Sequence, residues 1–514
     1  MARKKLFAAI DVGSHEIQLK IAELSREEPP KVVEHVQRTL AIGADTYLRG
    51  KISQPVLNEC IKVLTDFTEI LKAYRIGACQ VAATSAFREA QNSSYAIDQI
   101  RRASELEIEV LSNAEERYFH ILAAIVHLND FKSLVKEGTL LVDIGSGSIQ
   151  ITAFNQGELI FSQNMLLGSL RIRELLADLE RRAADFAGLM EEYISSDLDN
   201  YHLLEPKSIS YKNLIVLGGE MDMLKRLAGQ QPEQAATLTA RQFSQLYQQL
   251  LNTRPLDLAL DKAISVEHAS LLLPSAIIIR KLVDFSGAKT LYLPSSSLCD
   301  GLLVDMARQR LGFMPGYDQE PDIISACRSL ARRFEVDRGH VDFVEKIALQ
   351  IFDETCRLHE LPDRSRLLLQ AAAILHDCGK YVSMTKHNIR SYNIILANEV
   401  IGLLQGEQEV VAWAARMHSG KAATDERAFL ELSAANRLLS VKLAAILRLA
   451  DALDAGHQQK ISDLAATHGE GELILSVGTR RDITLEVWTF ENKGKLFQEV
   501  FGVTPVIKIR RQKA

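Results

Sequence analysis

The sequence predicts an α/β protein in which two copies of one α/β domain are followed by an all-helical domain and a small α+β domain at the C-terminus. Three observations lead there. Residues 140–154 (LLVDIGSGSIQITAF) read as a buried strand, a glycine-rich turn and a second strand, since the apolar run from Leu140 to Val142 gives way to Gly145 and Gly147 and then to alternating Ile149, Ile151 and Ala153. Residues 7–19 (FAAIDVGSHEIQL) repeat the pattern, with Asp11, Gly13, Ser14, Ile17 and Gln18 matching Asp143, Gly145, Ser146, Ile149 and Gln150 at one constant offset. A stretch rich in Pro, Gly and acidic residues, 311–322, then opens onto an almost unbroken helical pattern from 323 to about 455.

With 514 residues the chain exceeds one core, and the patterns divide it into domains at 1–130, 131–310, 320–465 and 466–514. An apolar content of 47% and a charged content of 25% describe an ordinary soluble globular protein. The net charge of −6 argues against a protein that coats nucleic acid through bulk charge, so a polyanionic ligand needs a local basic lane. The six cysteines show no C-x-x-C spacing, which fits reduced thiols and a cytoplasmic protein. The first apolar run ends at Asp11, too short for a secretion signal, and the run 271–279 is broken by Pro274, so no membrane partner is expected.

In chain order, 56–74 carries apolar residues at helical spacing and 78–83 returns to a strand. Thr84 and Ser85 are capping candidates for a helix whose first turn holds Arg88, a position suited to a two-pronged grip on phosphate. A strand at 108–111 leads into a helix opened by the capping box Ser112-Asn-Ala-Glu115, which occupies Glu115 and leaves Glu116 free, ionised near the helix N-terminus, to orient or deprotonate a water. In the second turn Gly145 and Gly147 can offer backbone N–H groups to an anion, Ser146 and Ser148 add hydroxyls, and Asp143 sits where a carboxylate could hold a divalent cation. The helical half carries His340, the His376-Asp377 pair with Lys380, His387, His418, Asp451 and Asp454, the residue types that build a divalent metal site inside a bundle. Lys380, Lys386, His387, Arg390, Arg416 and Arg448 are candidates for the basic lane. From 471 onward, ELILSVG, ITLEVW and VIKIRR read as strands around a helix near 493–501.

The paired loops resemble the actin, Hsp70 and sugar kinase (RNase H-like) superfold, in which two such turns face each other across a cleft and grip a chain of phosphates. AIDVGS, VAATSAFREAQN, IEVLSNAEER, LVDIGSGS and MLLGSLRIRE, with VLGG at 216–219 and SLCDGL at 297–302, resemble in order and spacing the exopolyphosphatase and guanosine pentaphosphate phosphohydrolase (Ppx/GppA) family over about the first 305 residues. The resemblance implies hydrolysis of a terminal phosphoanhydride of inorganic polyphosphate or guanosine pentaphosphate, with Mg2+ and an activated water in the cleft. It puts the catalytic carboxylate on Glu116, phosphate contacts on Asp11, Gly13, Ser14, Arg88, Gly145, Ser146, Gly147 and Ser148, and a metal contact on Asp143. This chain departs from the family pattern at His15, Glu16, Gln18, Ser146 and Gln150. The amide of Gln150 stands where the family has a glutamate, which predicts weaker magnesium binding or water activation.

The helical half resembles an HD-type metal-dependent phosphohydrolase domain, which implies Mn2+ or Fe2+ held by His340, His376, Asp377 and Asp451, with the adjacent His376 and Asp377 diverging around a helix and His418 more peripheral. A competing reading makes the altered cleft a non-catalytic sensor of polyphosphate or guanosine tetraphosphate that controls the helical domain. A homodimer is the candidate assembly.

Overall fold

Apolar side chains alternating along two adjacent stretches, with a glycine turn between them, make the first element an antiparallel hairpin of β1 (Leu6–Val12) and β2 (Glu16–Glu23). Asp11 lies opposite Gln18, and the Gly13 N–H donates to the Glu16 carbonyl at 3.0 Å. The computed structural model describes residues 5–511 apart from 129, 181, 205–208, 232–235, 318, 319, 399 and 470. Among them β3 (Lys31–Thr39), β4 (Cys79–Ala83) and β5 (Ile108–Val110) complete a sheet ordered β3-β2-β1-β4-β5, with β1, β4 and β5 parallel.

The same hairpin returns as β6 (Thr139–Ile144) and β7 (Ile149–Asn155), with Asp143 opposite Gln150 and the Gly145 N–H donating to the Ser148 carbonyl at 3.0 Å. The duplication read in the sequence thus extends to strand register and to the turn hydrogen bond. With β8 (Glu158–Met165), β9 (Asn213–Leu217), β10 (Ala236–Thr239) and β11 (Thr290–Leu293) it forms a sheet ordered β10-β11-β9-β6-β7-β8. In each half the hairpin turn lies at the carboxyl end of its first, parallel-paired strand, where an α/β sheet places its ligands.

The helix Asn113–His127 opens with the Ser112/Glu115 capping box. Its Tyr118, Phe119 and Leu122 pack on Leu298, Cys299, Leu302 and Leu303 of the helix Leu298–Leu311. Gly301 permits this approach, since a Cβ there would stand 2.0 Å from the Phe119 carbonyl oxygen. The helix expected after Thr84 is a single turn, Ser85–Glu89; the Thr84 side chain does not cap it, and Arg88 lies in its last turn.

The chain divides into two compact units, 1–318 and 319–514. The second begins with helices running from Glu320–Arg333 to Ala434–Ala452, around a core that includes Val344, Leu369, Trp413 and Leu447. The strands β12 (Ile461–Gly469), β13 (Glu472–Thr479) and β14 (Thr504–Arg511) then form a sheet in that order. Two sequence expectations are corrected here. Strand β12 lies before the first strand read from sequence, because ISDLAATHG lacks clean apolar alternation. ITLEVW belongs to the helix Thr484–Lys493: Ile483, Glu486 and Phe490 are buried at helical spacing while Leu485 and Trp488 are exposed, and Glu486 is ion-paired with Lys460 at 3.1 Å. All six cysteines are free thiols, and among the described residues no single helix is long and apolar enough to cross a membrane.

Replacing Gly301 by Ala is expected to lower stability by about 1–3 kcal/mol, since the new methyl meets backbone rather than a flexible side chain. Denaturant unfolding of the variant measures it.

Candidate functional site

The two hairpin turns line one cleft of about 580 Å3, together with residues of the helix Asn113–His127 and the segments at 218–226 and 294–300. Of the residues singled out from sequence, Asp11, Gly13, Ser14, Glu116, Asp143, Gly145, Ser146 and Ser148 line it. Gly147 is instead the point where the two halves meet: a Cβ there would lie 2.0 Å from Tyr47 Oη and 2.5 Å from Ser85 Oγ. Arg171 closes the same seam, donating to the Gly147 carbonyl at 2.6 Å and to Glu89 at 2.5 and 2.7 Å while its guanidinium stacks 4.0 Å over the Tyr47 ring. The Ser14 hydroxyl accepts from Tyr47 Oη at 2.7 Å and from the Ala86 N–H at 3.1 Å, so it is engaged in this seam as well.

Arg88 does not have the expected direct view of the cleft. Its guanidinium donates to Glu116 at 3.0 Å and to the Leu111 carbonyl at 2.6 Å, so it holds the carboxylate from behind. Glu116 is therefore paired rather than free. Gln150 is likewise turned to protein, its Oε1 accepting from Arg117 Nε at 3.1 Å.

The cleft is unusually rich in buried acid groups. Asp11 Oδ1 and Asp143 Oδ1 are buried with no hydrogen-bond partner among the described residues. Burial pushes the Asp11 carboxyl well up, with Glu116, Glu16 and Asp143 adding to it; burial also raises Asp143, against the opposing influence of His120. Buried carboxylate oxygens without donors are what a divalent cation satisfies. Ligand atoms of Glu116, His120 and Asp143 all lie within 4.8 Å of one another, with His120 Nε2 3.5 Å from Asp143 Oδ2. His120 was missed in the sequence, although its position one helical turn after Glu116 was a usable signal. Lys20, also in the lining, is neutralised by Asp300 at 2.7 Å. His15 faces the cleft with its pKa lowered to about 4 by burial, hence neutral.

In the second unit, His340, His376, Asp377 and Asp451 converge. His340 Nε2 lies 3.2 Å from Asp451, 3.7 Å from Asp377 and 3.4 Å from His376 Nε2, and His376 Nε2 lies 3.6 Å from Asp377. The helix Arg364–Leu375 ends at His376, and Asp377 begins a 3-10 turn, so the pair is not splayed around a helix as expected from sequence. His418 is not peripheral either: it is buried, its Nε2 3.7 Å from Asp377 Oδ1, with His387 Nε2 3.4 Å from the same oxygen. The far nitrogen of each buried ring is held by an acceptor, His340 Nδ1 by Asp454 at 2.9 Å, His376 Nδ1 by the Ala373 carbonyl at 2.7 Å and His418 Nδ1 by the Ala415 carbonyl at 2.5 Å, which leaves the Nε2 atoms turned inward. Burial alone would raise Asp377 and Asp451, but the surrounding imidazoles, with Lys380 at the first and Lys493 at the second, hold both carboxyls low. Of the basic residues read from sequence, three are engaged within the protein: Lys380 pairs with Asp377 at 2.5 Å, Arg416 with Glu426, and Arg448 donates to the Met417 and Gly420 carbonyls at 2.8 and 2.9 Å, while Lys386 and Arg390 are exposed.

Glu220, another cleft residue that sequence reading missed, accepts from Ser169 Oγ at 2.9 Å and is pushed up to about 7 by burial. Its proton is bound more tightly folded than unfolded, so its contribution is intact below about pH 4.5 and is lost as pH rises through about 7. In protein freed of divalent ions, Glu220→Gln is expected to melt above the wild type at pH 8, with the gap closing toward pH 5. Thermal melts at both pH values check this.

The sequence model of the Ppx/GppA phosphatase family matches residues 20–310, and that of Ppx/GppA phosphatase domain III matches 324–487. Exopolyphosphatase 1 of Mycobacterium tuberculosis is 23% identical over 304 residues, which cover 57% of this chain and 86% of that one. The crystal structure of an exopolyphosphatase from Cytophaga hutchinsonii matches with a TM-score of 0.51 at 19% identity, over 61% of this chain and all (100%) of that one. The Aquifex aeolicus Ppx/GppA family member matches with a TM-score of 0.50 at 18% identity, over 60% of this chain and 99% of that one. These likenesses show the actin-like two-domain fold, with the cleft between its duplicated halves. A family match over more than half of the sequence, on a fold that carries the paired hairpins, makes this chain a member of the Ppx/GppA phosphatase family.

Proposed function

We propose that the cleft hydrolyses the terminal phosphoanhydride of a polyphosphate chain, with inorganic polyphosphate as the first candidate substrate and guanosine pentaphosphate as the second. The observation that carries this reading is the pair of buried, unpartnered carboxylate oxygens of Asp11 and Asp143 at two facing hairpin turns, with Glu116 beside them. Polyphosphate as first candidate is supported by the exopolyphosphatases among the relatives.

Phosphoryl transfer to water asks the protein mainly for position and charge. Loop N–H groups and the Ser148 hydroxyl hold phosphoryl oxygens at the hairpin turns. Glu116, oriented by Arg88, takes a proton from the attacking water as the new P–O bond forms and the bridging P–O bond breaks, releasing phosphate and a chain shorter by one unit. Because Arg88 already pairs with Glu116, it acts as a positioning residue. Asp143, with Asp11 lining the same space, would hold a divalent cation, which would supply neutralisation of the phosphate charges. That need is acute in this chain, since the lining carboxylates would otherwise repel a polyanion.

We further infer that His340, His376, Asp377 and Asp451 hold a transition-metal cation, as in an HD-type domain. The supporting observation is the set of inward-turned Nε2 atoms, with His387 and His418 on the other oxygen of Asp377.

Glu116→Gln is expected to cut phosphate release from long polyphosphate by about 100 to 10,000-fold while leaving polyphosphate affinity within a few-fold. Turnover assays on polyphosphate and guanosine pentaphosphate, alongside binding of each, check it. A wild-type protein that binds either ligand without releasing phosphate overturns the hydrolase reading in favour of a sensor. In the helical unit, Asp377→Ala is expected to lose bound manganese or iron, and His418→Ala to lower it too; metal analysis of the full-length chain, with content equal to wild type in both variants, would reduce the cluster to a polar core.

A further inference from the structure

We propose that His120 is a direct ligand of the cleft's cation and that it makes this a site for a first-row transition ion, manganese foremost, rather than for magnesium. The proposal rests on the cation-dependent reading of the cleft and names the ion.

The helix Asn113–His127 sets Glu116 and His120 one turn apart, on one face, over the end of β6 where Asp143 sits. Packing against the helix at Gly301 fixes the depth of that face. The separation of His120 Nε2 from Asp143 Oδ2 is 3.5 Å, long for a hydrogen bond between an imidazole and a carboxylate. It suits two atoms sharing one ion, which stand about 3.0 to 3.5 Å apart when each bond is about 2.1 Å. Asp143 is 3% exposed and its Oδ1 is unpartnered, so the carboxylate still lacks a donor after His120 is counted.

The donor set decides the ion. Magnesium favours oxygen and retained water in near-ideal octahedral geometry, whereas an imidazole nitrogen beside carboxylates suits manganese, iron, cobalt or zinc. Gln150 supplies no further oxygen here, because its Oε1 is held by Arg117. Position 150 thus offers no carboxylate and position 120 offers an imidazole, so the donor set mixes hard oxygen with borderline nitrogen.

The test is manganese binding to the full-length chain, followed by pulsed electron spin resonance, which reads coupling of the ion to a ligating nitrogen. All proteins carry Asp377→Ala, so that the histidine cluster of the second unit does not contribute the same signal. The parent, His120→Gln and Asp143→Asn are compared, with His120→Asn as a second, smaller replacement should the glutamine disturb the helix. Since outer partners of metal ligands already cost about 10–100-fold in affinity, loss of His120 should weaken manganese at least about tenfold, abolish the nitrogen coupling, and move magnesium affinity less than about threefold, whereas Asp143→Asn should weaken both ions. Manganese that depends on Asp143 but shows no nitrogen coupling, or a coupling that survives in both His120 variants, overturns the proposal and leaves the cation-dependent cleft standing. Absence of any Asp143-dependent manganese or magnesium overturns both.

Discussion

The buried carboxylates of Asp11 and Asp143 set the terms for the first unit. Each sits at the carboxyl end of the leading strand of a hairpin, each is pressed by burial toward its protonated form, and each keeps one oxygen without a donor. A protein whose function did not need them would gain by replacing them with apolar residues, because a buried carboxyl without a partner costs stability. Their retention at matching positions of both copies makes sense when a cation, and through it a chain of phosphates, completes the site.

The other cleft features follow from managing that charge. Arg88 is spent on Glu116 and Lys20 on Asp300, so these two cations are already neutralised. For the proposed polyanionic substrate, attraction would then fall to Arg226 in the lining, to the backbone N–H groups of the turns and to a cation if one is bound. That agrees with a net charge of −6 on the whole chain. The seam built by Tyr47, Ser85, Gly147 and Arg171 keeps the two turns in register with each other, which a two-sided grip on one phosphate chain requires.

Much of this was legible in the sequence, for identifiable reasons. The duplication was visible because strand periodicity and turn glycines are local, and the capping box at Ser112 because it is a spacing rule. Partnerships across the fold were not visible. The sequence gives no sign that Arg88 turns to Glu116 28 positions away, that Gln150 meets Arg117, or that Ser14 is engaged by Tyr47. The strand reading of ITLEVW failed because a buried, ion-paired Glu486 looks polar in the sequence and counts as core in the structure. His418 looked peripheral for a related reason: its distance from His376 along the chain hides a ring separation of 4.8 Å.

The same logic of buried charge applies with more force to the second unit. His340, His376, His418, Asp377, Asp451 and Asp454 are all buried, and the imidazoles do not share one ionisation state: Asp451 and Asp454 outweigh burial and raise His340 to about 9, while burial lowers His418 to about 3. The carboxylates are balanced by Lys380, Lys493 and His340. Such a cluster is a poor way to fill a core, since removing any one member leaves another charge buried and unpaired.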